Sequence, residues 1–103
     1  MLQKTKLAMH IATTVFDSEI LDLIAAAIAD IRHCGPKFDA NEVLANDGTV
    51  TDYQIDDPLV SRAVITYCRM MFGSPADFDR LKASYEAQKG QLRESSAYGM
   101  EAL

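Results

Sequence analysis

The stretch DPLVSRAVITYCRMMFG, residues 57–73, decides the fold. Asp57 is an N-cap residue, and Pro58 sits at the first helical position, where its missing N–H costs nothing. Leu59, Val60, Ala63, Val64, Tyr67, Met70 and Met71 then recur at helical spacing and form a broad apolar face. Arg62 and Arg69 mark the wet side, and Gly73 stops the run. The pattern predicts the central helix of a core, with Tyr67, Met70 and Met71 inside it.

Downstream, only a turn separates this helix from the next. Ser74, Pro75 and Asp77 form a capping arrangement, with Asp77 at the capping-box position. Phe78, Leu81, Tyr85 and Leu92 follow at spacings of 3, 4 and 7, and Gln88 is the polar gap in that seam. The pairs Asp79–Lys82, Lys82–Glu86 and Glu86–Lys89 lace the outside. So short a connection makes the last two helices an antiparallel hairpin or a sharp corner. After Gln88 the seam thins, and Gly90 costs about 1 kcal/mol relative to Ala. Residues 90–103 are therefore expected to be a partly free C-terminal segment.

Upstream, DSEILDLIAAAIADIRH is a second amphipathic helix, about 17–34. Asp17 reads as its N-cap, and Ile20, Ile24, Ala27, Ile28 and Ile31 supply its stripe. Ala25, Ala26 and Ala29 allow close approach by a neighbour, and Gly35-Pro36 ends the helix. Residues 2 to about 11 predict a short helix with Leu2, Leu7 and Ile11 on one face and Lys4 and Lys6 outside. Thr13, Thr14 and Val15 are β-branched and continue it poorly.

Residues 36–56 have no helical stripe of useful length. Asp47-Gly48 is a turn signal that can join two short strands. A calcium loop fails, because Ala45 and Val43 stand where oxygen ligands are needed before Gly48. The expected fold is all-α: a small bundle of three to four helices in one domain. A long irregular insertion, with room for a short β-hairpin, separates the second helix from the third.

The 103 residues suit one domain with a core that needs no staples. A hydrophobic fraction of 49% and a charged fraction of 24% are those of an ordinary globular protein. The net charge of -5 argues against affinity won by neutralising phosphates. Cys34 and Cys68 read as free thiols in a reducing cytoplasm, and His10 and His33 offer no metal-ligand spacing. The N-terminal apolar stretch is short and broken, so no signal peptide is predicted. No segment reaches the roughly 18 apolar residues of a membrane span.

The sequence carries no G-x-S-x-G and no phosphate loop. Asp56 and Asp57 are better explained as turn and cap than as acid and base, so no enzymatic activity and no cofactor are expected. A helix-turn-helix would read DNA with the start of its second helix, which here is acidic at Asp77 and Asp79. Tyr67 and Tyr85 lie on apolar faces. Tyr53 and Tyr98 fall outside the regular helices, where aromatic residues anchor partners. Tyr53, Leu92, Arg93 and Tyr98 are the candidate partner-interface residues.

The second half as a whole, DDPLVSRAVITYCRMMFGSPADFDRLKASYEAQKGQLRESSAYG, has an acidic-Pro helix start and an Ala-x-x-x-Tyr core helix. A Phe-Gly stop, an acidic cap and a closing helix with Tyr85 and QLRESSAY follow. With DSEILDLIAAAIADI before it, this resembles the head–tail connector, or DNA-packaging, proteins of tailed bacteriophages and prophages. The likeness covers roughly 2–34 and 56–99; the insertion at 36–56 is longer and more acidic than a minimal connector loop. It implies a ring of identical subunits at the portal vertex, in the virion neck between capsid and tail. Its partners would be itself, the portal protein and tail-side completion proteins, with DNA passing through the channel and not bound by sequence. The alternative from the residues alone is a small helical adaptor or transcription-associated regulator, monomeric or dimeric.

Overall fold

A computed structural model of the chain describes residues 1–73 and 75–94. Four helices and one β-hairpin appear among them: α1 (Leu2–Ala8), α2 (Asp17–His33), β1 (Asn41–Leu44), β2 (Val50–Gln54), α3 (Pro58–Met71) and α4 (Phe78–Glu94). The core is built where α2, α3 and α4 meet. Ile20, Ile24, Ala27 and Ile31 of α2 face Val60, Ala63, Val64 and Cys68 of α3, all sealed from solvent. Leu81, Tyr85 and Leu92 complete it from α4.

The helix ends follow the sequence closely at α3. Asp57 Oδ1 accepts the N–H groups of Leu59 at 2.8 Å and Val60 at 3.2 Å, and Pro58 occupies the first turn. Gly73, just past the helix, takes a φ of +66°, which other residues adopt only with strain. At α2 the start differs from the expectation. Phe16 is the N-cap residue and makes no side-chain cap, while Asp17 is the first helical residue. The Asp17 carboxylate is engaged elsewhere, 2.8 Å from the Lys6 ammonium.

That pair also corrects the expected face of α1. Thr5 and Lys6 are its buried residues, and Leu7 is exposed. Lys6 can be buried because its charge has Asp17 to meet and its methylene stem packs like an apolar chain. The helix ends at Ala8, earlier than expected, and His10 takes a φ of 59° as the chain turns away.

The insertion between α2 and α3 is ordered into an antiparallel hairpin. Asn41 pairs with Gln54, Glu42 with Tyr53, Val43 with Asp52 and Leu44 with Val50; Thr51 is the extra residue of a bulge. Asp47 Oδ1 accepts the backbone N–H of Thr49 at 3.0 Å and its hydroxyl at 2.7 Å, closing the tip. Gly48 supplies the φ of +87° that the turn requires. All four residues of β1 are exposed, so alternation could not have revealed this strand.

The hairpin is fastened at its base. Asp52 Oδ1 accepts the N–H groups of Leu2 at 2.8 Å and Tyr53 at 2.7 Å, and the Met1 ammonium stands 3.3 Å from it. Burial alone pushes the Asp52 carboxyl up. The two N–H donors and the ammonium together outweigh it, so the group lies below its ordinary value. One carboxylate thus caps α1 and locks it to β2.

At the other end, α4 does not weaken where the sequence suggested. The helix runs through Gly90 to Glu94, and Leu92 is 1% exposed. Of the expected side-chain ladder on α4, Lys89 stands 3.2 Å from Glu86. Asp77 precedes the helix and pairs with Arg80, while its carbonyl accepts the Leu81 N–H at 3.0 Å. Ser74, expected to cap this helix, lies outside the described residues.

Candidate interaction surfaces

The three candidate interface residues within the described structure, Tyr53, Leu92 and Arg93, fall in three different settings. Tyr53 is half-buried on β2, wedged against α2. A cleft of about 510 Å³ opens on one side of it, with Asp17, Leu21 and Asp22 in its wall. A second, of about 500 Å³, opens between Ala25, Ala29 and Glu42. Burial raises the Tyr53 hydroxyl above its ordinary value, and the charges of Glu42 and Asp22 add to the shift. Tyr53 therefore stays a neutral phenol at the junction of two grooves, and Ala25 and Ala29 let the second run close to the α2 backbone.

Leu92 is spent in the core, which corrects its expected role as an exposed anchor. The physical reason is that α4 stays helical through Gly90, and this keeps Leu92 in register with Tyr85 seven residues earlier. Arg93, its neighbour, is exposed. Tyr98 lies outside the described residues.

An exposed apolar cluster at the α3–α4 corner was not among the candidates. Phe16 meets Phe72 edge-to-face with ring centroids 5.3 Å apart, beside Val15, which is 77% exposed. Met71 and Phe78 are also exposed, and Met70, Met71, Gly73, Pro75 and Phe78 line a cleft of about 380 Å³ at the α3–α4 corner. Met71 was expected in the core with Met70. It emerges instead because it lies one residue round the helix from buried Met70, on a side of the last turn of α3 that is left open. Among the sequence signals, Val15-Phe16 before α2 and Met71-Phe72 before Gly73 could have found this cluster.

Cys34 and Cys68 are free, and burial pushes the Cys68 thiol up to about 12. Among the described residues no group of three or more His, Cys, Asp and Glu side chains could hold a metal ion, and no helix is long and apolar enough to cross a membrane.

Fold and surfaces together define a small helical interaction module: three core helices, a pinned hairpin and open apolar ground at a corner. The family model described as phage connector protein matches residues 1–99, hairpin included. The chain belongs to that phage head–tail connector family, and its role is that of a structural connector. No curated protein and no solved structure matches the chain significantly.

Proposed function

We propose that this protein forms a ring at the portal vertex of a tailed phage or prophage particle, joining capsid to tail and extending the DNA channel. The observation that carries the proposal is the family match over residues 1–99. A ring of identical subunits closes by a heterologous interface, in which two different patches of one subunit meet their complements on its neighbours. The physical character of the chain supports this. Tyr53 with its grooves and the apolar α3–α4 corner are two chemically distinct surfaces on different elements. Its partners are then further copies of itself, the portal protein and tail-side completion proteins, and its place is the virion neck.

The net charge of -5 fits a channel wall that lets DNA slide without holding it. The hairpin and the turn after it carry Glu42, Asp47, Asp52 and Asp56 within fifteen residues, with no lysine or arginine among them. The test is negative-stain microscopy and native mass spectrometry of the purified protein, alone and mixed with the portal assembly of the same particle. Closed rings in either sample are expected. A monomer in both would overturn the proposal.

A further inference from the structure

The α3–α4 corner and the far end of α4 lie at opposite ends of one helix. From Phe78 to Glu94 is sixteen residue steps, about 24 Å along the axis. The cleft of Met70, Met71, Gly73, Pro75 and Phe78 is at the first end. The chain continues from the second as SSAYGMEAL, residues 95–103, whose large side chains are Tyr98, Met100 and Leu103. Tyr98 lies four residues past Glu94, so its backbone reaches at most about 14 Å from there. A tyrosine side chain does not make up the remaining ~10 Å, so Tyr98 cannot enter its own cleft.

Resting on the ring reading above, we propose that the α3–α4 cleft receives the Tyr98 segment of a second copy. The chemistry of both sides matches. The cleft offers two methionine side chains and a phenylalanine ring, soft apolar walls that suit an aromatic guest. The segment carries one charge, Glu101, and no base. Beside the cleft stand Arg80, paired with Asp77, and Arg69, whose charge acts on the same Asp77. An aromatic tail thus meets an apolar cleft whose rim carries Arg69 and the Arg80–Asp77 pair. Because donor and acceptor sit at opposite ends of α4, each copy gives to one neighbour and takes from the other, which is the head-to-tail relation a ring requires.

Complementation tests this directly. One variant lacks residues 95–103 and keeps its cleft. The other, Met71→Glu, keeps its tail and puts a charge in the cleft, at a side chain 46% exposed and so outside the core. Sedimentation velocity should show each variant associating about tenfold or more weakly than the wild type. Their equimolar mixture should give a 1:1 heterodimer and stop there, since only one tail and one cleft remain. Tyr98→Ala should reproduce the loss. Wild-type-like assembly by the truncated chain, or a mixture that stays monomeric, overturns this proposal and leaves the ring reading standing. Unchanged self-association with loss of portal binding assigns the cleft to another neck protein and equally overturns it. A wild type that assembles neither alone nor on the portal removes the ring reading and this one together.

Discussion

Tyr85 donates its phenolic hydrogen to Asp30 Oδ2 across 2.6 Å, tying the middle of α4 to the last turn of α2. Lys89 approaches the same oxygen at 3.1 Å, and its ammonium lies 4.7 Å from the centre of the Tyr85 ring. Tyr67 packs against that ring as well, with centroids 5.4 Å apart. The Tyr85 hydrogen bond holds the Asp30 carboxyl below its ordinary value, against the opposing effect of burial and with help from Lys89. Burial, then Asp30, push the Tyr85 hydroxyl strongly up, so it donates at every working pH.

Removing that hydroxyl therefore has a pH signature. Tyr85→Phe keeps the ring and loses only the bond to Asp30. The Asp30 side chain is 41% exposed, so solvent screens the bond and the loss at pH 7 should be about 1 kcal/mol. A carboxyl whose folded value is depressed stabilises above its unfolded value and loses that contribution as pH falls through the folded one. The gap between wild type and Tyr85→Phe should thus be full at pH 7 and shrink below about pH 4. Urea denaturation at pH 7 and pH 3 measures it; an equal gap at both would mean the carboxylate is not the source.

The last turns of α4 give two substitutions of opposite sign. Leu92→Ala removes a side chain 1% exposed and should cost about 2–5 kcal/mol, as other core truncations do. Gly90 is within the helix, and a Cβ built on it meets nothing within 4 Å. Gly90→Ala should therefore stabilise by about 0.5–1 kcal/mol, through helix propensity and a less free unfolded chain. Thermal melts of both variants decide whether the helix persists past Gln88 in solution. If Leu92→Ala melts like the wild type, α4 ends earlier than Glu94.

Much of this architecture is legible in local chemistry. Asp57-Pro58 and Gly73 bracket α3, Gly35-Pro36 ends α2, and Asp47-Gly48 marks the hairpin turn, because each acts on its own backbone within a few residues. What escaped depends on partners distant in sequence. Lys6 looks like a surface lysine until Asp17, eleven residues on, is placed beside it. Asp30 and Tyr85 are 55 residues apart, and neither is unusual in its own helix. At Gly90 a propensity penalty of about 1 kcal/mol competes with burial of Leu92, and burial of a leucine, about 1.5–3 kcal/mol, wins. The apolar corner was missed for the converse reason: Met70 and Met71 both have plausible core spacing, but only Met70 is on the covered side of the last turn of α3.

Asp52 should behave as the fastener of the hairpin. Asp52→Ala leaves the N–H groups of Leu2 and Tyr53 without their shared acceptor, at a cost of about 1–3 kcal/mol. The loss should be local: hydrogen exchange at Leu2 and Tyr53 should accelerate while the amides of Val64 and Cys68, deep in the core, keep their protection relative to global stability. Uniform acceleration across the chain would show that hairpin and core open as one unit. Because Asp52, like Asp30, has a depressed folded value, the wild-type hairpin should also loosen as pH falls below about 4.

The two thiols should separate by reactivity. Cys68 is wholly buried between α2 and α3, and its thiol is pushed up to about 12, so at pH 8 it has almost no thiolate and no access. Cys34, just past the end of α2, is half-buried. A colorimetric disulfide reagent at pH 8 should therefore titrate one thiol per native chain quickly and the second only as the protein unfolds. Cys34→Ser should abolish the fast phase, and Cys68→Ser should leave it intact. Raising the urea concentration should speed the slow phase in step with the unfolded population, since reaction at Cys68 requires the core to open. Two equally fast thiols in the native protein would contradict the packing of α3 against α2.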